Sequence, residues 1–219
     1  MLFKKAHPTI EKAQKLILAS ASPQRLELLR QIGVEPDYIY SPNIDETPKY
    51  KEHPRFLAKR LAQSKAQATF EHISRLKEYE KFLILSGDTV VSVGRTILPK
   101  PRTSKEAIDC LQLLSGRTHR VYTAVVIINS SGKINLQVSE NRVRFIRLRA
   151  QEIESYIKSQ EWQDRAGGYA IQGYASTFIE RIIGSQSSIV GLPLKHVSAM
   201  LQANNYSLLE KWYTDELSN

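Results

Sequence analysis

The sequence predicts an α/β protein with a mixed sheet, and three observations carry that prediction. Residues 16–19 (Leu-Ile-Leu-Ala) form a short apolar run that breaks at once into Ser20-Ala21-Ser22-Pro23 and a helical pattern, the order of a strand feeding a helix. Residues 82–85 form a second apolar run, which passes through Ser86 and Gly87 to a single acid, Asp88. Further on, β-rich segments at 120–128 and 135–145 are joined by Asn129-Ser-Ser-Gly-Lys133, a composition that marks an antiparallel hairpin.

A chain of 219 residues is long enough for one large core, or for two lobes sharing a cleft. With no internal repeat and no Pro/Gly linker it reads as a single domain over residues 16–206, with an extension at 1–15 and a tail at 207–219. At 42% hydrophobic and 24% charged residues it has a globular composition, which excludes a disordered chain. Lys and Arg outnumber Asp and Glu by 31 to 22, a formal charge of +9 that suits an anionic partner. One cysteine, Cys110, excludes a disulfide framework and a thiolate zinc site. No apolar run approaches the roughly 20 residues that span a bilayer, and the lysines of residues 1–15 precede no apolar stretch of a secretory signal. A cytoplasmic protein with no membrane partner is expected.

Taken in order, the first helix is expected at 23–32, with Ser22 as N-cap, Pro23 at the first position and Gly33 as the stop. A Ser-rich turn at a helix N-terminus is an anion site in outline, and Arg25 can reach the same space. Residues 38–40 read as a strand, followed by a loop with the adjacent acids Asp45 and Glu46. A helix at 54–72 carries Phe56, Leu57, Leu61, Ala62, Ala66 and Ala68 as apolar or small positions, and Lys65 at the margin of that stripe. Asp88 is expected at a strand end, followed by a second run at 89–93, a turn at Gly94-Arg95 and a return run at 96–98. That return delivers Lys100 between two prolines. A helix at 104–114 and, after the hairpin, another at 151–160 follow. Arg142, Arg144, Arg147 and Arg149 form a basic run, read as a solvated sheet edge in preference to a nucleic-acid stripe. Ala166-Gly-Gly-Tyr-Ala-Ile-Gln-Gly173 demands sharp turns or close approach. A strand at 177–183, a small-residue loop at 184–193 and a helix to about 203 end the chain.

The motifs, in order, resemble those of the Maf family of nucleotide pyrophosphatases. They are Leu18-Ala-Ser-Ala-Ser-Pro-Gln-Arg-Leu-Glu-Leu-Leu29, Ile44-Asp-Glu46, Leu61-Ala-Gln-Ser-Lys-Ala66, Gly87-Asp-Thr-Val-Val91 and Leu98-Pro-Lys-Pro101. Leu114-Ser-Gly-Arg-Thr-His-Arg-Val-Tyr-Thr123, Ala166 to Gly173 and Val190-Gly-Leu-Pro193 complete the set. The resemblance runs from about residue 16 to 203. It implies a two-lobed fold like that of the inosine-triphosphate pyrophosphatases, with a twisted mixed sheet and a central active-site cleft. The implied reaction takes a nucleoside triphosphate to the monophosphate and pyrophosphate, assisted by Mg²⁺ or Mn²⁺.

Carried over by the resemblance, Asp88 is the catalytic acid that accepts a proton, and Glu46, Lys65, Lys100, Arg25, Ser20 and Ser22 are further active-site positions. Glu46 and Asp88 are the expected metal ligands. Base selection falls to Gln24, Thr89 and Gln172. Thr89 and Gln172 match the branch acting on dTTP and UTP, while the 7-methyl-GTP branch carries other residues there. One position departs: the dTTP/UTP pattern more often has Arg before Arg25, where this chain has Gln24, which leaves the exact base preference open. A homodimer is expected. The alternative is a nucleotide- or nucleic-acid-binding module without chemistry; its basic residues, however, are spread along the chain and not interleaved with aromatics.

Overall fold

A computed structural model describes residues 14–209 and 212. The expected extension and tail lie outside the described residues except at positions 14, 15, 207–209 and 212.

Among the described residues seven strands form one mixed sheet in the order β2-β1-β3-β5-β6-β7, with β4 paired to β3. Strand β1 (Lys15–Ala19) runs parallel to β2 (Tyr38–Ile39) and to β3 (Phe82–Val93). Strands β4 (Thr96–Leu98), β5 (Thr118–Asn129), β6 (Ile134–Phe145) and β7 (Ile179–Ile183) are joined to the sheet by antiparallel pairing. The helices are α1 (Pro23–Arg30), α2 (Pro54–Leu76), α3 (Ser104–Leu114), α4 (Ala150–Lys158), α5 (Gln186–Val190) and α6 (Leu194–Gln202). Two short 3₁₀ turns, Ala166–Gly168 and Tyr174–Phe178, lie between α4 and β7. Among the described residues no helix is long and apolar enough to cross a membrane.

Period-two alternation on β1 and β3 sorts the core into two faces. Leu16, Leu18, Leu83 and Leu85 pack against Leu28 and Leu29 of α1 and Val197 and Leu201 of α6. Ile17, Ala19, Ile84 and Val90 pack instead under α2, against Leu57, Leu61, Ala66 and Ile73. A third cluster forms a second lobe: Val91 and Leu98, Leu111 and Leu114 of α3, Val143 and Phe145, and Tyr169 and Ile171 of the Gly-rich segment. Each fully buried Leu, Ile or Phe contributes roughly 1.5–3 kcal/mol by transfer from water. In this lobe His119 is fully buried, its Nε2 lying 2.8 Å from Tyr169 Oη. Burial pushes its imidazole down to about 4, so the ring is neutral at pH 7.

Several expectations are corrected. Asp88 does not end a strand, because β3 runs unbroken through it for 12 residues. Strand β5 is equally long and pairs with β3 from Leu83↔Asn129 to Ser92↔Arg120, carrying the ladder through the Ser86-Gly87 weak point. Helix α2 continues past His72 to Leu76, since Ile73 extends the buried stripe and His72 stacks on Tyr40 at 4.1 Å. Phe56 points outward and is 62% exposed. Strand β7 begins at Ile179, because Thr177 belongs to the preceding 3₁₀ turn. The segment read as the loop 184–193 contains α5, a helix of weak local propensity held by tertiary hydrogen bonds described below. Arg142 and Arg144 lie where β6 is flanked by both β5 and β7, not at an edge. Arg144 is paired with Glu180 at 2.7 Å, and Arg120 with Glu140 at 3.0 Å, so acids interleave the basic run.

Candidate active site

Strand β1 accompanies β3 only as far as Ser86, and β4 joins the same edge only from Val91. Residues 87–90 are therefore paired by β5 on one side, and among the described residues no strand pairs with them on the other. Asp88 and Thr89 point to opposite faces of the sheet. At this gap both faces open onto one cleft, which both side chains line.

Helix α2 crosses the face that carries Asp88. Its N-terminus is built by Pro54 at the first position and by His53, whose Nδ1 accepts a hydrogen bond from the Arg55 backbone N–H at 3.2 Å. Three turns on, Lys65 donates to Asp88 Oδ1 at 2.6 Å and lies 2.7 Å from Glu46 Oε1. One ammonium thus bridges two carboxylates. Partial burial works against the charge of Glu46, but the hydrogen bond and charge of Lys65, helped by Lys100 and Arg25, outweigh it. The Glu46 carboxyl is held below the usual carboxylate range.

The loop bearing Glu46 is folded on itself. Asp45 Oδ1 accepts from the Thr47 N–H at 2.9 Å, so Asp45 braces the turn. Arg60 of α2 grips Glu52 with two bonds of 2.8 Å and donates to the Thr47 carbonyl at 3.0 Å. The bond from Arg60, opposed by burial and aided by the Lys49 N–H, takes the Glu52 carboxyl from its ordinary 4.5 down to about 2. A depressed carboxylate stabilises the fold fully above its unfolded value and loses that contribution as pH falls through its folded value. Wild-type stability should therefore fall between about pH 4.5 and 2 by an increment that Glu52→Gln lacks. Urea midpoints of both proteins across that window test it, and parallel curves would refute the assignment.

On the opposite face, Arg25 is buried at 9% exposure, and each of its three guanidinium nitrogens donates one hydrogen bond. Its Nε donates to the Gly191 carbonyl at 3.0 Å, its Nη1 to Ser20 Oγ at 2.9 Å and its Nη2 to Thr89 Oγ1 at 3.4 Å. Burial pulls its guanidinium below the usual value, against the attraction of Asp88 and Glu46. Gly87 makes room for it: a Cβ there would stand 3.2 Å from both Arg25 Nε and Leu192 Cδ2. Ser22 holds the N-cap position of α1, but its hydroxyl donates to Gln24 Oε1 at 3.1 Å and caps no backbone N–H.

The remaining candidates meet in the same place. Gln24, Lys100 and Gln172 line the cleft with Arg25, Lys65, Asp88 and Thr89, and its neighbouring recess adds Ser20 and Glu46. The Gly-rich segment reaches the cleft because Gly167, at φ 74°, brings its backbone against Val91, where a Cβ would stand 2.9 Å away. Ile171 and Val190 supply apolar wall. Sequence reasoning missed Asp164 and Arg165, which also line the cleft. Arg165 Nε is buried without a hydrogen-bond partner. Their position just before the Ala166-Gly-Gly turn was the available signal. It also missed Thr123, Asn141 and Ser188, buried polar residues behind Thr89.

Among the described residues no three His, Cys, Asp or Glu side chains gather into a metal cage. Mg²⁺, however, is ordinarily held by one or two carboxylates together with substrate phosphates. Asp88 and Glu46, two carboxylates at one cleft, are the pair that would hold such an ion together with a substrate's phosphates, through oxygens that Lys65 does not take.

Arg25, Lys65 and Lys100 line one cleft with Asp88, and Glu46 lines its neighbouring recess, a charge arrangement that suits a polyanion beside carboxylates. The family described as Maf-like protein matches residues 15–204, and the chain belongs to it. A dTTP/UTP pyrophosphatase from Mesorhizobium japonicum is 49% identical over 201 residues, covering 92% of this chain and 97% of its own. Proteins of the same name from Bartonella quintana and Bartonella henselae are 51% and 52% identical, covering 93% and 90% of this chain and 92% and 88% of theirs. A solved HAM1 protein from Coxiella burnetii aligns over 87% of this chain and 99% of its own at 14% identity, with a TM-score of 0.43, too low for anything to rest on it.

Proposed function

We propose that this protein is a nucleoside triphosphate pyrophosphatase that converts dTTP and UTP to the monophosphate and pyrophosphate. The observation that carries the reading is the Asp88–Lys65–Glu46 bridge opening on the same cleft as Arg25 and Lys100. The relatives at about half identity bear the name of that activity.

In this reading Arg25, Lys65 and Lys100 hold the triphosphate. Each cation about 4 Å from a phosphate oxygen is worth roughly 4 kcal/mol at an effective dielectric near 20, before desolvation. These contacts count most where charge builds during transfer. Asp88 accepts the proton of the attacking water at Oδ2 while Oδ1 stays on Lys65. Glu46 and Asp88 would hold a divalent ion, which when bound acidifies water and offsets phosphate charge. Ser20 and Ser22 line the phosphate side, and Gln24, Thr89 and Gln172 face the base. The interleaved Glu140 and Glu180 speak against a nucleic-acid stripe on β6.

Pyrophosphate release should concentrate on dTTP and UTP in a panel with CTP, GTP and 7-methyl-GTP, and should stop with a chelator. Release from another base would overturn the substrate and keep the chemistry. No release from any nucleotide would return the protein to a binding module.

A further inference from the structure

Thr123 stands on β5 directly opposite Thr89 on β3, fully buried behind the cleft. Its Oγ1 lies 2.7 Å from the Ser188 carbonyl oxygen and 3.2 Å from Thr89 Oγ1. A threonine hydroxyl has one proton and two lone pairs. A carbonyl oxygen only accepts, so the single proton of Thr123 goes to Ser188. Toward Thr89, Thr123 can then only accept, and Thr89 must be the donor. The Arg25 Nη2 group, which has no lone pair to offer, occupies one acceptor site on Thr89 Oγ1 at 3.4 Å. One lone pair is left on a hydroxyl whose residue lines the cleft.

The relay is anchored at its far end. Asn141 donates from Nδ2 to Ser188 Oγ at 2.9 Å and accepts at Oδ1 from the Ser185 N–H at 2.9 Å, tying α5 to β6. Gly184 allows this approach, because a Cβ there would overlap Asn141 Oδ1. The Ser188 carbonyl therefore stays where Thr123 needs it. If Thr123 gave its proton to Thr89 instead, the buried Ser188 carbonyl would lose its donor; if Thr89 turned its proton into the cleft, the buried Thr123 oxygen would lose the one it accepts, and folded proteins avoid both.

We infer that Thr123 is a positioning residue that holds Thr89 as a hydrogen-bond acceptor toward the substrate base. The inference rests on the pyrimidine triphosphate reading above and deepens it. An acceptor at that point takes a base whose facing edge donates, the N3–H of uracil and thymine. Cytosine presents a bare lone pair at N3 and its donor one position away, so the two lone pairs oppose each other. A built hydrogen-bonding site discriminates far more strongly than an apolar pocket of the same shape.

The test compares kcat/KM for UTP, CTP and N3-methyl-UTP. Wild-type protein should reject CTP and N3-methyl-UTP alike. In Thr123→Val the Thr89 hydroxyl is released to turn and donate, and the preference for UTP over CTP should fall roughly tenfold or more. Thr123→Ser keeps the hydroxyl and should keep the preference. Should Thr123→Val fail to fold, Thr89→Val against Thr89→Ser carries the same comparison, with the preference lost only in the first. Equal use of UTP and N3-methyl-UTP by the wild type overturns the inference. So does a Thr123→Val protein that melts lower with its UTP/CTP ratio unchanged. If the wild type hydrolyses no pyrimidine nucleotide, the proposed function falls, and the same ratios taken from dissociation constants decide the wiring. Absence of binding overturns both.

Discussion

Replacing Asp88 by Asn should lower kcat for pyrophosphate release by about 10²–10⁴-fold while leaving nucleotide binding measurable. The amide keeps the shape of the carboxylate and its position in β3, where Ala124 pairs with it across the ladder. It cannot accept a proton, and it offers Lys65 a neutral oxygen in place of a charged one. Measured without a divalent ion, nucleotide affinity should hold or rise, because a negative group beside the phosphates is gone. Turnover assays paired with calorimetric titration of the nucleotide separate the two effects. Turnover at the wild-type rate would remove Asp88 from the chemistry.

Lys65→Met should cut kcat/KM by about 10²–10³-fold, the scale seen when one preorganised charge-stabilising group is lost. It should also change the pH dependence, which a loss of packing would not. In the wild type Lys65 keeps Glu46 ionised below the usual carboxylate range against its partial burial. Without Lys65 the burial acts against weaker support from Lys100 and Arg25, and the Glu46 carboxyl protonates at higher pH. The acid limb of the kcat/KM profile should move upward in pH, and Lys65→Arg should move it less. Superimposable acid limbs for wild type and Lys65→Met would show that this ammonium does not set the ionisation of the site.

Much of this architecture was legible in the residues because local rules set it. The α1 start at Ser22-Pro23, the Gly94-Arg95 reversal and the β5–β6 hairpin at Asn129–Lys133 depend on proline at the first helical position, on left-handed backbone and on turn composition. Helix α3 fell at its expected bounds because one face of Ala107, Leu111 and Leu114 is apolar and the other is not. The charged members of the site were named through the family resemblance, and the residues themselves gave only a hint of them. Acids and cations at the margins of apolar elements need compensation, so they draw notice.

What was missed depends on partners remote in the chain. Ser86-Gly87 looks like a break until β5 is seen to run its full length beside it. Helix α5 has little propensity of its own and is held by Asn141, 44 residues before Ser185. The proton of Thr123 is assigned by a carbonyl 65 residues away. No local pattern marks a threonine as a relay, since in sequence it is one more β-branched residue in a strand.

The amino-acid order therefore settled the α/β alternation, the inventory of acids and cations, and the family to which they point. It could not settle that Asp88 and Thr89, on opposite faces of one strand, serve one cleft. That follows from β1 ending at Ala19, opposite Ser86, and antiparallel β4 ending at Leu98, opposite Val91, which among the described residues leaves residues 87–90 of β3 with one open edge. Side-chain alternation is a property of a single strand, whereas an open edge is a property of where its neighbours stop.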